Sequence, residues 1–243
     1  MSTTLNNQHR AVLDRIGQLA VADLVKLWRT LPSGQTTALV AALVEAVPEL
    51  AARWGDVAAV SAADYFDAVR EHYNPSGSYL ASPAPPAPAE QVRAGVRWAV
   101  DPLFSASPDE AAALARLSTS LDRLVRQADR DTVAVNATAD QHARGWRRVA
   151  RPGACPFCVM LAGREGAYTS KAAAEMVGGS GRVRGTRPQG QSYHDHCRCF
   201  AAPVFPGWEP DADVLRAQEL YEQAAVPGST RDTLANMRRL MNT

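Results

Sequence analysis

Apolar residues recur at steps of three and four over long stretches of this chain, which is the spacing of amphipathic helices. One such stretch predicts a helix from about Asn7 to Leu31, stopped by Pro32-Ser33-Gly34. A second helix is expected over Thr36–Val47. Pro48 is well placed as a first-turn proline, so a third helix is predicted from there to about Tyr73, with Gly55 as a point where it could break.

The middle of the chain combines a proline-rich segment with signals for two more helices. Residues 74–89 are too rich in proline, serine and glycine to pack or to hold a helix, which predicts an extended, semi-rigid linker. A short helix is expected around Glu90–Val100. Ser107-Pro108-Asp109-Glu110 then forms a capping box, with Ser107 as the N-cap, and predicts a long central helix that ends near Ala139.

The central helix should place its leucines in the core and its charges on other faces. The apolar stripe includes Leu117, Leu121 and Val125, whereas the charged residues expected to lie mostly elsewhere are Arg116, Asp122, Arg123 and Arg126.

After Gly145 the helical period fades. Trp146–Ala150 and Phe200–Phe205 are predicted to be short strands, and glycines between 178 and 190 indicate an irregular loop between them. Two tail helices are expected over Asp211–Ala225 and Thr230–Met241. The expected fold class is therefore mainly α.

Composition and charge narrow the class of protein. Apolar residues make up 46% and charged residues 21%, which is typical of globular proteins, and no apolar run reaches the roughly eighteen residues that span a bilayer. The N-terminus lacks the features of a signal peptide, so we expect the protein to stay in the cytoplasm of the cell that makes it.

The net charge of +1 hides a basic region, because residues 140–200 carry ten Lys/Arg against four Asp/Glu. This surplus could contact phosphate groups, or it could be a solvated basic face that balances the acidic remainder. The arginines concerned are Arg144, Arg147, Arg148, Arg151, Arg182, Arg184 and Arg187.

All four cysteines lie in this basic region. Cys155-Pro156-Phe157-Cys158 places two thiols on one tight turn, and the run from His194 to Cys199 offers two histidines and two further cysteines. Zn²⁺ prefers four N or S ligands in a tetrahedron, and thiols in a reducing compartment favour metal binding over disulfides. We therefore predict a zinc site with Cys155, Cys158, His194, Cys197 and Cys199 as candidate ligands.

These five candidates outnumber the four ligand positions of a tetrahedral zinc site, and His196 is a further alternative to His194. The site is expected to be structural, because no carboxylate stands in the HExxH or HxE arrangement of a catalytic zinc. A thioredoxin-like redox pair is the first alternative, but no βαβ pattern surrounds the CxxC motif. Cysteines that simply pack in a core are the second.

The predicted elements divide the chain into five regions. They are a helical N-terminal region (1–80), a proline-rich linker (81–89), a helical stem (90–144), a small α+β zinc module (145–205) and a helical tail (206–243).

The cysteine motifs also carry a family resemblance. CPFCVMLAGREGAYTS, followed by YHDHCRC and APVF, resembles the phage Mu F-like minor head proteins, also called head morphogenesis proteins, and above all those of phages of actinobacteria. In that family the cysteine region usually ends with the motif His-Pro-x-Cys-Arg-Cys. His194, Cys197, Arg198 and Cys199 match this motif, and Asp195 stands in place of the proline.

The resemblance implies a structural protein that acts in head assembly or in DNA packaging and ejection. It implies binding to the portal protein, the major capsid protein or both. The arginine surplus adds packaged DNA as a candidate partner, and the lack of a long apolar run predicts no membrane association. The expected location is the capsid interior or the portal vertex of the virion, after assembly in the host cytoplasm.

Two other functions stay open at this point. Some relatives are described as capsid maturation proteases, although the spacing singles out no catalytic set here, so an enzyme is not the main expectation. A zinc-dependent nucleic-acid-binding protein is the second alternative.

Overall fold

The computed structural model describes residues 2–31, 34–163 and 198–242. Within these ranges the protein is mainly helical, with one small two-stranded sheet. The helices are α1 (Ser2–Thr30), α2 (Thr36–Tyr73), α3 (Ala89–Ala99), α4 (Glu110–Ala139), α5 (Pro156–Ala162), α6 (Ala212–Ala224) and α7 (Thr230–Met241), and the strands are β1 (Gly145–Val149) and β2 (Phe200–Val204). A 3₁₀ helix covers Asp101–Phe104.

The chain forms two compact units. The helical unit consists of Asn7–Tyr65 and Ala81–Thr132, and the mixed unit consists of Met1–Asn6, Phe66–Leu80 and Val133–Thr243. Helices α1, α2 and α4 each contribute residues to both units. The five regions expected from the sequence are sequential, whereas these units are interleaved along the chain, and the five-part division stays a prediction.

The helical unit has a leucine-rich core. Leu13 and Leu24 of α1, Leu43 of α2, and Leu117 and Leu121 of α4 are all at most 1% exposed. The apolar stripe predicted for the central helix, Leu117, Leu121 and Val125, is therefore buried as predicted. Among the described residues, no helix has both the length and the apolar character needed to cross a membrane.

Helix α2 corrects the prediction of two helices separated at Pro48. It runs without interruption from Thr36 to Tyr73 with Pro48 inside it. A proline in a helix interior removes one hydrogen bond and typically costs about 3 kcal/mol. Pro48 is itself buried, and Leu43, Val47 and Leu50 on both sides of it lie in the core. Tertiary packing on both sides of the proline therefore outweighs its local preference.

The start of α4 also differs from the prediction. The helix begins at Glu110, and the carboxylate of Asp109 accepts a hydrogen bond from the backbone N–H of Ala112 at 2.8 Å. Asp109 is thus the N-cap in place of Ser107, because an aspartate directly before the first turn satisfies the same unpaired amides. The predicted end at Ala139 is confirmed.

The segment between α2 and α3 is extended, as predicted, but it packs. In the helical unit Ala84 is buried, and its backbone N–H donates to the hydroxyl of Thr132 at 3.0 Å. In the mixed unit the hydroxyl of Tyr79 donates to Asn136 Oδ1 at 2.7 Å. Proline-rich chain can pack when its remaining N–H groups and side chains find partners on a neighbouring helix, so the expectation that it would not pack was wrong.

The mixed unit is built around an antiparallel strand pair. β1 and β2 pair from Gly145↔Val204 to Val149↔Phe200, and every residue of both strands is buried. Phe205 follows β2 and packs edge to face on Phe66, with their ring centroids 5.6 Å apart. The strands and both tail helices lie within one residue of their predicted bounds, so these predictions are confirmed.

Candidate metal centre

The turn that leads into the CxxC motif follows from its residues. The backbone N–H of Ala154 donates to the carbonyl of Arg151 at 3.1 Å, so residues 151–154 form a tight turn. Pro152 suits the second position of such a turn. Gly153 at the third position has a φ of +68°, a left-handed value that favours glycine. The turn therefore ends directly before Cys155, the first residue of the CxxC motif.

Cys155 and Cys158 lie at the start of α5. Cys155 is the N-cap residue, with extended backbone, and Pro156 occupies the first helical turn, where its missing N–H costs nothing. The carbonyl of Cys155 accepts the backbone N–H of Val159 at 3.1 Å. Cys158 is 2% exposed. This local structure places both thiols on one turn, as the motif predicted.

The strand pair brings Cys199 to the same place. Cys199 directly precedes Phe200, which pairs with Val149 at the end of β1, and the chain then continues from Val149 through the turn into α5. Cys199 is 1% exposed and packs in one apolar cluster with Ala154 and Cys158, against which Ala150, Cys155 and Val159 are packed. Three cysteines from two distant parts of the sequence therefore share one cluster.

The chemistry of this cluster is that of thiols in an apolar setting. No disulfide joins any two of Cys155, Cys158 and Cys199. Within the described ranges, no group of three or more His, Cys, Asp or Glu is arranged so that it could hold a metal ion. The other candidates, His194, His196 and Cys197, lie outside the described residues, and the zinc site stays a prediction.

Two arginines of the basic region neither form a solvated face nor lie open to phosphate groups. Arg147 and Arg148 on β1 are 6% and 1% exposed, so neither belongs to a solvated face or to an open groove. Arg147 donates to the Asp211 carboxylate at 3.3 Å, and its guanidinium lies 5.2 Å from the centroid of the Trp208 ring. Sequence patterns do not indicate this burial, because the side chains of two adjacent arginines on a strand point to opposite faces and arginines are usually exposed.

Exposed arginines remain on either side of the strand. Arg144 and Arg151 are exposed, while Arg182, Arg184 and Arg187 lie outside the described residues. Contact with DNA through this region therefore stays a prediction that depends on fewer residues than the sequence suggested.

Sequence reasoning also missed buried charges in the helical unit. Arg126 of α4 is 2% exposed and binds Asp122 on its own helix and Asp14 on α1. His9 Nε2 lies 2.6 Å from Asp129 Oδ1, and the His9 ring stacks on Tyr65 at 4.1 Å. The expectation that Arg126 falls outside the buried face was wrong, because α1 supplies a carboxylate that makes burial tolerable. The i, i+4 spacing of Asp122 and Arg126 was the available signal.

Comparison with known proteins places the chain in a family. A family model described as VG15 protein matches residues 1–224. No curated protein and no solved structure matches the chain. The family match covers the whole helical unit and the mixed unit up to the end of α6. The chain therefore belongs to the VG15 protein family, a family of viral and phage gene products, and is a phage protein.

Proposed function

We propose that this phage protein is a minor capsid protein of the Mu F-like head morphogenesis type. It associates with the portal protein, the major capsid protein or both, and it acts structurally in head assembly or in DNA packaging and ejection. One observation carries the proposal: Cys158 and Cys199, far apart in the sequence, share one buried cluster, as the resemblance to these head proteins implies for the CxxC and Cys-Arg-Cys motifs. Membership of a phage protein family supports it.

The cysteine cluster is proposed to hold a structural zinc ion. Its sulfur donors fit that ion by their chemistry, because thiolates are preferred zinc ligands and the cluster gathers them from two chain segments. Cys155, Cys158 and Cys199 are the described donors, and His194 and Cys197 are the remaining candidates for the four positions. Zinc, when bound, would supply a cross-link between the CxxC turn and the start of β2.

Metal content tests the zinc proposal. Elemental analysis of the purified protein should find about one zinc per chain, and Cys155→Ser or Cys199→Ser should lose most of it, since removal of one ligand from a tetrahedral site sharply weakens binding. Ala154→Ser is the matched control, because it places the same hydroxyl in the same cluster and removes no sulfur. Equal zinc in wild type and both cysteine variants would refute the site.

The structural role is tested in phage particles. Procapsids of the phage that encodes this chain should contain the protein, and it should co-purify with portal protein from them. Its absence from both procapsids and mature heads would refute the proposal.

Two assays on the purified protein separate the alternatives. Cleavage of scaffold or capsid precursor by the purified chain would indicate a maturation protease. DNA binding that weakens steeply with salt, in the absence of portal binding, would indicate a nucleic-acid-binding protein.

A further inference from the structure

Helix α5, which carries the CxxC motif, cannot hold its position alone. It has seven residues, well below the roughly twelve to fifteen at which an isolated helix becomes even marginally stable. Its second half is buried instead against the two C-terminal helices. Met160 and Leu161 of α5 form one apolar cluster with Ala224 of α6 and Met237 of α7. Tertiary packing therefore determines where α5 lies.

The contact between α5 and α6 is a close one. A Cβ atom added at Gly163, the residue that ends α5, would lie 2.9 Å from the carbonyl carbon of Ala217 and 3.0 Å from the backbone nitrogen of Gln218. The φ of Gly163 is −80°, a value that any residue adopts. Glycine is thus required here for proximity to the α6 backbone and not for its conformational freedom.

The start of α6 is joined to the strand pair. Asp211 caps α6 by accepting the backbone N–H of Val214 at 3.1 Å, and the same carboxylate accepts the buried guanidinium of Arg147 on β1. Arg147 pairs with Ala202 on β2, the strand that begins next to Cys199. One helix therefore contacts α5 near its middle and is joined to β1 at its start.

The cysteine cluster is connected to the C-terminal helices through one residue of α5. Val159 is packed against both the cysteine cluster and the α5, α6 and α7 cluster, so it transmits the position of the C-terminal helices to the thiols. Since Cys158 lies on α5 and Cys199 directly precedes β2, a displacement of α5 relative to the strand pair would change the distance between the two residues.

We propose that α6 and α7 form a brace that holds the CxxC turn against Cys199, with Gly163 as its positioning residue. The brace sets the protection of the Cys158 thiol in the metal-free protein. The brace also sets the affinity of the cysteine site for zinc, and this part of the inference rests on the proposed function.

The test is Gly163→Ala in the full-length chain, with Gly95→Ala as the matched control. A Cβ at Gly95 meets no atom within 4 Å, so the control makes the same substitution in a helix without a steric conflict. Thiol labelling of metal-free protein, mapped by peptide mass, should show Cys158 reacting about tenfold faster in Gly163→Ala, because overpacking forces local displacement. Competition with a chromophoric chelator should show zinc affinity reduced about tenfold. Gly95→Ala should match wild type in both.

A second variant keeps the test informative if Gly163→Ala does not fold. Met237→Ala removes a fully buried side chain of the brace and leaves the α5 backbone unchanged, so it should also speed labelling of Cys158. Unchanged labelling in folded Gly163→Ala, or in Met237→Ala if the first variant is unfolded, would overturn the brace. If the wild-type protein binds no zinc, and Cys158 still reacts faster in Gly163→Ala than in wild type, the brace is supported and the zinc proposal is refuted. Failure of the brace and failure of the zinc proposal are therefore distinguishable.

Discussion

The buried guanidinium of Arg126 gives the sharpest test of how the helical unit is stabilised. Its Nε donates to Asp122 Oδ2 at 3.0 Å, and its Nη2 donates to Asp14 Oδ1 at 2.8 Å. Burial by itself lowers the pKa of Arg126, and the carboxylates of Asp122 and Asp14 more than offset that effect, so its pKa is raised. A raised pKa for a cationic group means that its stabilisation is complete below the unfolded pKa and is lost only as the pH rises through the folded pKa, so the ion pairs of Arg126 stabilise the fold at neutral pH.

The expected magnitudes follow from exposure. Asp14 is 37% exposed, so Asp14→Asn removes a largely screened charge and should cost about 0.5–1 kcal/mol of the free energy of unfolding. Asp122 is 20% exposed and accepts two contacts, so Asp122→Asn should cost about 1–1.5 kcal/mol. The double variant leaves a buried cation without a countercharge and should cost about 3–5 kcal/mol. The loss in the double variant is therefore expected to exceed the sum of the two single losses by about 0.5–3.5 kcal/mol.

Urea unfolding followed by far-ultraviolet circular dichroism measures these differences, provided that the slope of the transition does not change. Asp23→Asn is the control, since it disrupts exposed ion pairs with Lys26 and Arg53 and should leave the midpoint unchanged. Adding Arg126→Met to the double variant should recover stability, because an apolar side chain of similar size needs no countercharge. Losses that add to within about 0.5 kcal/mol, without recovery by methionine, would refute the reasoning.

Three further predictions concern single substitutions. Burial is the main cause that raises the pKa of Tyr79 above its usual value of 10.0, and the nearby carboxylates of Asp140 and Asp67 add to it. The stability that the neutral Tyr79 hydroxyl contributes, while it donates to Asn136, is therefore complete below pH 10 and is lost as the pH rises through the folded pKa. Tyr79→Phe should cost about 1 kcal/mol at neutral pH and flatten the alkaline loss of stability in urea titrations at several pH values; an unchanged alkaline profile would contradict this. Gly95→Ala should stabilise the protein by about 0.5–1 kcal/mol, seen as a higher urea midpoint, because it lies inside α3 with open space around its Cβ. Phe205→Ala should cost about 3–5 kcal/mol in the same assay, since Phe205 is 0% exposed and packs on Phe66, and a loss below 1 kcal/mol would mean that this core is not formed as described.

Local signals in the sequence were sufficient for most elements. The C-terminal end of α4, both ends of α6 and α7, and both strands lie within one residue of their predicted positions, where capping residues, periodicity or flanking turns specify them. The same local rules failed at Pro48, where burial on both sides keeps α2 continuous. They also failed at Ser107, because Asp109 stands closer to the first turn and caps the helix first.

Pairings between distant residues could not be predicted. Nothing in the sequence around Asp14 indicates that it meets Arg126, and nothing around Asp211 indicates that it meets Arg147. A buried arginine is tolerated only when the tertiary fold supplies its acceptor, and that information is spread over two remote segments. The gathering of Cys155, Cys158 and Cys199 was predictable because a CxxC motif followed by a second cysteine pair is a spacing typical of cysteines that share one site.

The cysteine cluster and the C-terminal helices act on α5 from different sides. Cys155 and Cys158 belong to the cluster with Cys199, Met160 and Leu161 pack against α6 and α7, and Val159 contacts both groups. A helix this short has no stable position without both contacts. A bound zinc ion would therefore stabilise the packing of α6 and α7, and that packing would in turn favour metal binding, since linkage between two contacts on one element is reciprocal. Substitutions in the tail helices, remote in sequence from any cysteine, are for this reason expected to change the properties of the thiols.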